Sequence, residues 1–403
     1  MIIQPKVRGF LCTTAHPLGC KANVVRQIKY VQQQPMLATC PKHVLVIGAS
    51  TGYGLASRIV AGFAARAKTI GVFFEKAATA KRTASPGWYN SAAFEQEAHK
   101  AGIYAKSING DAFSAQIKQQ VIELIQQDWG GQLDLIIYSL AAPRRQDSST
   151  GKVYNSVLKP IGVNYHDKTV NIMSGEVYNI EIAPATADEI YHTEKVMGGE
   201  DWAHWVTACM DAKILSHAAK TVAYSYIGPE ITYPIYRHGT IGKAKEHLAK
   251  TALDIDQKLK RYCNGNAWVS VNKSIVTQAS AAIPVVPLYM SLLFKVMKLH
   301  KTDEDSISQI WRLFYEKLYS STAVPVDEDN LIRLDDKELQ APIQAEVSKL
   351  WQKVTTDNIE QISDIINYRK EFYQLFGFQV ADVDYAAESN LDVKVPSILL
   401  EHV

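Results

Sequence analysis

Cysteine gives this chain no covalent framework. Its five cysteines, Cys12, Cys20, Cys40, Cys209 and Cys263, are odd in number and scattered, and none forms a C-x-x-C pair. That excludes a disulfide scaffold and a zinc knuckle, and it fits a reducing compartment. Charge of one sign is equally scarce: 43 Lys and Arg stand against 41 Asp and Glu, a net of +2. This argues against an electrostatic partner such as nucleic acid. No window comes near the roughly 18 uncharged apolar residues of a membrane-crossing helix. The opening MIIQPKVRGFLCTTAHP is broken by Gln4, Pro5, Lys6 and Arg8, unlike a signal peptide. No repeat or low-complexity tract is present. Glu246-His247 is not H-E-x-x-H, and no histidine pair has ligand spacing beside a carboxylate, so no metal is expected. These absences leave a cytoplasmic protein that engages neither nucleic acid nor membrane.

What is present is a large core. Hydrophobic residues make up 47% and charged residues 21% of 403 positions, and no Pro/Gly/Ser-rich linker divides them. We read one domain over 1–403. From 43 to 143, strands alternate with helices: HVLVIGA (43–49), TIGVFFE (69–75), IYAKSING (103–110) and LDLIIYSLA (133–141) as strands, with helical spacing in 55–67, 91–102 and 114–130. Strands this continuously apolar are buried on both faces of a parallel sheet. Residues 150–200 break the rhythm as an insertion with short strands. Helices are expected near 201–224 and 241–262, with AWVSVNKSIVT (267–277) as a further buried strand. Residues 201–286 thus hold a Tyr/Lys segment and one more strand, and 287–403 a mostly helical region.

The first strand runs into Gly48-Ala49-Ser50-Thr51-Gly52-Tyr53-Gly54, a G-x-x-x-G-x-G turn into a helix. The first glycine permits the tight turn. The later ones let backbone N–H groups approach a pyrophosphate. Strand before and helix after supply the context such a motif needs, so the fold expected is an α/β Rossmann-type doubly wound sheet with helices on both faces. Glu75, about twenty residues on, is placed for the adenosine ribose hydroxyls, which favours NADH over NADPH, although Lys76, Lys81 and Arg82 lie close by. Asp111 ends the third strand, where the adenine edge would lie. Ser139, Leu140 and Ala141 end the fourth, beside the cofactor ribose.

A reductase of this kind needs a phenol to meet developing negative charge and an ammonium to support it. Tyr191 and Lys195 have Y-x-x-x-K spacing and share one helix face, but they sit in the irregular insertion. Tyr236, in YPIYRHGTIGKAKEHLAK, precedes a helix that carries Lys243 and Lys245. These lysines are two apart, about 200° around a helix, so only one can face the tyrosine; periodicity does not say which. Tyr226 is near enough to line the same cleft.

The segments SYIGPEITYPIYRHGTIGKAK, VIGASTGYGLASR, KVRGFLCTTAHPLGC, SIVTQASAAIP and FGFQVADVDY together resemble the trans-2-enoyl-CoA reductases. These are the long-form, FabV-type NADH-dependent enoyl-acyl carrier protein reductases of the short-chain dehydrogenase/reductase superfamily. The resemblance spans nearly the whole chain. It implies a monomeric NADH-dependent reductase of fatty acid biosynthesis, acting on the 2,3 double bond of an enoyl thioester of coenzyme A or acyl carrier protein. The family's tyrosine, eight residues short of a lysine, falls on Tyr236 and Lys245, and its substrate-contacting tyrosine falls on Tyr226. Its cofactor contacts fall on Gly48, Ala49, Ser50, Thr51, Gly52, Tyr53, Phe74, Glu75, Asp111, Ala112, Ser139, Leu140, Lys245, Ile275, Val276 and Thr277. It leaves Lys243 without a role. Hydrogen bonds from Tyr236, with Tyr226 as an open second donor, would meet the enolate charge. IPVVPLYMSLLFKVMKLHK (283–301) would cover the acyl chain. Its Lys295, Lys298 and Lys301, with Arg144 and Arg145, would meet phosphates or an acidic carrier.

Overall fold

Seven strands carry the fold: β1 (His43–Ile47), β2 (Lys68–Phe73), β3 (Ala105–Asn109), β4 (Leu133–Tyr138), β5 (Leu215–Ser225), β6 (Asn266–Val271) and β7 (Leu331–Arg333). The computed structural model describes residues 1–398 apart from residues 10, 38 and 149. Across the sheet the strands run β7-β6-β5-β4-β1-β2-β3, every neighbouring pair parallel. The winding direction reverses between β1 and β4. A reversal of this kind leaves a crevice at the carboxyl ends of the two strands.

Helices cover both faces. α1 (Pro17–Gln32), α2 (Gly52–Phe63) and α3 (Pro86–Lys100) share a core with Val44 and Val46 of β1. The other face carries α4 (Ala115–Trp129) and, after α5 (Ala187–Met197), α6 (Glu200–Asp211) and α7 (Thr240–Cys263), which bury Leu45 and Ile47. Successive side chains of a strand point to opposite faces, so a strand covered twice must be apolar at every position. HVLVI is that sequence.

A third core lies outside the sheet's two. It joins α9 (Val286–Leu299), which follows the short α8 (Gln278–Ala281), to α11 (Ala341–Lys353) and α13 (Ile365–Gln374), past α10 (Ser306–Arg312) and α12 (Ile359–Ile362). The antiparallel hairpin Tyr165–Val170/Val177–Ile182 belongs to it. So do Ile235 and Tyr236. Residues 286–294 of α9 are all buried. The helix is therefore a packed wall, backed by α11 and α13.

Several elements differ from the sequence reading, among them the strand expected over 267–277, which ends at Val271 as β6. Residues 215–225 are strand β5, not the end of a helix from 201. LSHAAKTVAYS is rich in helix formers, but the slot between β4 and β6 overrides that weak preference. The register against β4 shifts between Leu215 and Lys220, and Ala218 takes a positive φ of 57°, so only its second half reads as a strand. The short edge strand β7 falls within the expected helical region. Helix α1 lies in a stretch where no element was expected.

α2 is fixed from the far side by Arg58, which is fully buried. Its guanidinium donates to Ser107 Oγ at 2.8 Å and the Lys106 carbonyl at 2.5 Å on β3, and lies 3.5 Å from the Glu95 carboxylate of α3. Burial brings the guanidinium down to about 10 against the pull of Glu95. Removing one partner of such a pair strands the other charge, at a cost of about 3–5 kcal/mol. Glu95→Ala should therefore lower the thermal midpoint by about 5 °C, with Glu95→Gln between it and the parent. An unchanged midpoint in calorimetry would show that the pair does not hold α2.

Candidate active site

The turn between β1 and α2 is shaped by backbone contact. Gly48 has φ +85°, and a Cβ placed there would stand 2.1 Å from the Ser139 carbonyl oxygen. A Cβ on Gly54 would stand 1.9 Å from the Gly48 carbonyl oxygen. Only glycine lets these three backbones meet. The Ser139 N–H bonds the Ile47 carbonyl at 2.8 Å, extending the sheet into the turn. Thr51, the N-cap of α2, makes no side-chain capping bond. The first N–H groups of this 12-residue helix are thus left open, at its positive end. Thr51 and Gly52 line a cavity of about 400 Å³ together with Leu55, Ile275, Val276 and Thr277, and Asp303, Glu304 and Asp305 line its far part with Lys273 and Lys298. A cradle that a Cβ would fill, joined to an uncapped helix start, fits a dinucleotide pyrophosphate. A wider cleft near Met1 and residues 388–394 contains none of the expected side chains.

The side expected to take the adenosine is built with equal economy. Glu75 Oε1 accepts from Ser50 Oγ at 2.7 Å, and its backbone exchanges two bonds with the Asn109 side chain. α3 packs so close that a Cβ on Gly87 would stand 2.0 Å from Glu75 Oε1. Oε1 is engaged within the protein, while Oε2 makes no such bond among the described residues. Phe74 beside it is 79% exposed, an apolar face open to a base. Asp111 caps its own turn, accepting from the Phe113 N–H at 3.0 Å. The Ala112 carbonyl is held by Lys118 Nζ at 3.0 Å and by Trp205 Nε1 at 3.1 Å, and Lys118 in turn pairs with Asp201 at 2.7 Å. Leu140 follows Ser139 off β4, half-buried. Tyr53 hydrogen-bonds the Lys273 carbonyl at 2.5 Å, tying α2 to the segment after β6.

Tyr226 and Tyr236 meet edge to face, ring centres 5.1 Å apart at 70°. Tyr226 comes from the loop just past β5 and Tyr236 from the turn before α7. The Tyr236 ring is buried, and among the described residues its hydroxyl bonds nothing. Burial pushes that phenol above its usual range. Lys245, on the second turn of α7, donates to the Tyr224 carbonyl at 3.3 Å and has no ion-pair partner among the described residues. Desolvation brings its ammonium down to about 8. No hydrogen bond joins Lys245 to Tyr236. Lys243 is exposed and pairs with Glu246 at 2.9 Å, which separates the two lysines that spacing alone left open.

The rival pair is engaged elsewhere. Lys195 is bound by Glu200 at 2.5 Å, and Tyr191 is exposed, packing against Tyr154 and His192. Arg145, expected to face a carrier, is buried and spent on Glu200 and the Lys195 carbonyl at 2.7 Å each; Lys298 pairs with Asp364. The sequence reading missed Glu338, Tyr289, Ser274 and Lys273. Glu338 is fully buried and takes hydrogen bonds from Tyr226, Tyr289 and Ser274. In DDKELQ it has the look of a surface acid, and no local pattern separates it from one.

Residues 2–80 match the family model described as NAD(P)H binding domain of trans-2-enoyl-CoA reductase. Residues 82–319 match trans-2-enoyl-CoA reductase catalytic region, and 326–388 match enoyl reductase FAD binding domain. The last description names a flavin, but its span holds one glycine, Gly377, packed against the backbone of His16 and Cys20. Its helices bury their apolar faces in the third core. It offers no second dinucleotide cradle for a flavin. The chain is 58% identical over 398 residues to an enoyl-[acyl-carrier-protein] reductase [NADH] of Coxiella burnetii, covering 99% of this chain and 98% of that one. It superposes on the Clostridium acetobutulicum trans-2-enoyl-CoA reductase in complex with NADH with a TM-score of 0.96 at 42% identity, over 99% and 100% of the two chains. For the Treponema denticola trans-2-enoyl-CoA reductase in complex with NAD the TM-score is 0.93 at 47% identity, over 100% of both. With the cradle at the sheet's reversal and the tyrosine pair beside it, this chain belongs to the trans-2-enoyl-CoA reductase family.

Proposed function

We propose that this protein uses NADH to reduce the 2,3 double bond of trans-2-enoyl thioesters, carried on coenzyme A or acyl carrier protein, to the saturated acyl thioester. The observation that carries the reading is the buried Tyr236 phenol, which has no hydrogen-bond partner among the described residues and packs on Tyr226 just past the end of β5, together with the open anion cradle at the sheet's reversal. NADH, when bound, supplies the hydride that adds to C3. The chain's residues do the rest. The α2 N-terminus, from Gly48 to Tyr53, takes the pyrophosphate; Glu75 takes the adenosine ribose; Phe74, Asp111 and Ala112 border the base. Ser139, Leu140 and the Ile275-Val276-Thr277 segment border the nicotinamide half. Tyr236 donates to the thioester oxygen as enolate charge builds there, where a fixed donor contributes most, and C2 takes its proton through that phenol or a water. Lys245 holds the nicotinamide ribose and supports the phenol as an acid. Tyr226 borders the substrate, and α9 walls the acyl chain. No helix among the described residues is long and apolar enough to cross a membrane; the protein works in this reading as a cytoplasmic monomer.

The direct assay follows NADH absorbance with crotonyl-CoA and longer enoyl-CoA substrates. Thioester-dependent oxidation is expected, faster with NADH than NADPH by about tenfold or more, because Glu75 would repel a 2′-phosphate. No oxidation with any enoyl thioester would sink the reading. Tyr236→Phe should cut kcat by about 10²–10³ while NADH still quenches protein fluorescence with near-parent affinity; near-normal turnover would remove Tyr236 from the acid role.

Lys245 gives a pH signature. Its folded-state pKa lies near 8, so the free enzyme carries that charge below this value and loses it above. NADH affinity should fall as pH rises through about 8. Lys245→Met should bind weakly throughout, without the inflection. An inflection that survives in the variant belongs to another group.

A further inference from the structure

The turn between β7 and α11 sends one carboxylate into the site from a direction the mechanism above does not use. Glu338 has no exposed surface. Its Oε1 accepts from the Tyr226 hydroxyl at 3.0 Å, the Tyr289 hydroxyl at 2.7 Å and Ser274 Oγ at 3.3 Å, and its Oε2 accepts from the Ser274 N–H at 2.8 Å. Gln344 Nε2 reaches both the Glu338 carbonyl at 2.7 Å and the Tyr289 oxygen at 3.1 Å. Tyr289 therefore accepts from Gln344 and spends its own proton on Glu338. Four donors thus converge on one carboxylate from the end of β5, the segment after β6 and helix α9.

A phenol has one proton. If Tyr226 gives it to Glu338, in a charge-assisted bond about twice as strong as a neutral one, it has none for a substrate oxygen. Tyr236, in contact with the Tyr226 ring, is under no such claim. We propose that Glu338 is a positioning residue of this site: it holds the proton of Tyr226 and leaves Tyr236 the one phenol of the pair free to donate to the thioester oxygen. This rests on the enoyl reductase reading and closes the alternative in which Tyr226 is a second donor. The convergence of four donors is what enforces it. A carboxyl approached by donors on both oxygens acts as an acceptor, so both phenols donate to it; an amide of the same shape would let either bond reverse. Burial raises the Glu338 carboxyl, opposed by the Ser274 N–H, the Lys273 ammonium and Tyr289. Lys273, itself buried, is pinned by Asp303 and the carbonyls of Ser274 and Glu304.

The test compares the parent with Tyr226→Phe, Tyr236→Phe, Glu338→Gln and the Glu338→Gln/Tyr226→Phe double variant, using crotonyl-CoA and NADH. Tyr226→Phe should lose no more than about tenfold in kcat, against about 10²–10³ for Tyr236→Phe. Glu338→Gln should lose about tenfold in kcat/KM for the thioester, the scale of one charged hydrogen bond, with the KM for NADH unchanged. Placed on Tyr226→Phe, it should add less than about twofold, the non-additivity of groups acting through one another. Losses that multiply in the double variant would overturn the proposal, and so would Tyr226→Phe proving as damaging as Tyr236→Phe. Should Glu338→Gln fail to fold, the comparison of the two Tyr→Phe variants decides by itself. A parent without thioester-dependent NADH oxidation, or an active Tyr236→Phe, defeats the enoyl reductase reading instead.

Discussion

The contact of the Ser139 carbonyl with the bare Cα of Gly48 is the constraint on which the site depends. It brings the end of β4 against the turn leaving β1, across the point where the sheet reverses its winding. With no side chain between them, the two strand ends lie close enough to frame a single crevice. The same turn starts α2, whose first N–H groups remain open because Thr51 does not cap them. Arg58, on the same helix, is locked to β3 and α3. The cradle is therefore held at both ends by buried contacts.

In the proposed reading the crevice has a cofactor half and a chemical half, and the two rest on different supports. The cofactor half is made of strand ends and one helix start, all parts of the sheet's own packing. The chemical half lies where the sheet meets the third core: Tyr236 is a member of that core, Tyr226 packs against it, and α9 forms its wall. Glu338 crosses the boundary, since it reaches Ser274 behind β6 and Tyr289 on α9 with the same carboxylate. Movement of α9 relative to the sheet would break those bonds and leave a charge buried without partners, which is costly. The tyrosine pair is thus tied to both supports.

Much of this was legible in the sequence, and the limits have physical causes. β1, β2 and β4 declared themselves because double burial demands apolar residues at nearly every position; the edge strand β3, AKSIN, is only partly buried and carries Lys106, Ser107 and Asn109. The glycine turn did so because backbone contact excludes every side chain. Strand β5 did not, since LSHAAKTVAYS has helical composition and only its place between two strands makes it extended. Spacing left Lys243 and Lys245 open; the structure turns Lys243 toward Glu246 and solvent. Glu338 was invisible for the opposite reason to Gly48. Its environment comes from three segments distant in sequence, and nothing beside it in DDKELQ marks it as buried.

Burial sets the electrostatics of the proposed acid. The low-polarity surroundings that lower the Lys245 ammonium to about 8 also raise the Tyr236 phenol, so before reaction each group is less willing to bear charge than in water. Near neutral pH the lysine is mostly charged and the phenol wholly neutral. In the proposed reading, as the phenol's proton moves toward the substrate oxygen, negative charge appears beside the Lys245 ammonium, which has no ion-pair partner among the described residues. The poor screening that disfavours each charge alone strengthens their attraction. A surface tyrosine and lysine would lose most of that effect to solvent, as would a lysine already paired, like Lys195 with Glu200. That Lys245 has no ion-pair partner among the described residues is for this reason as much a part of the proposed site as its position.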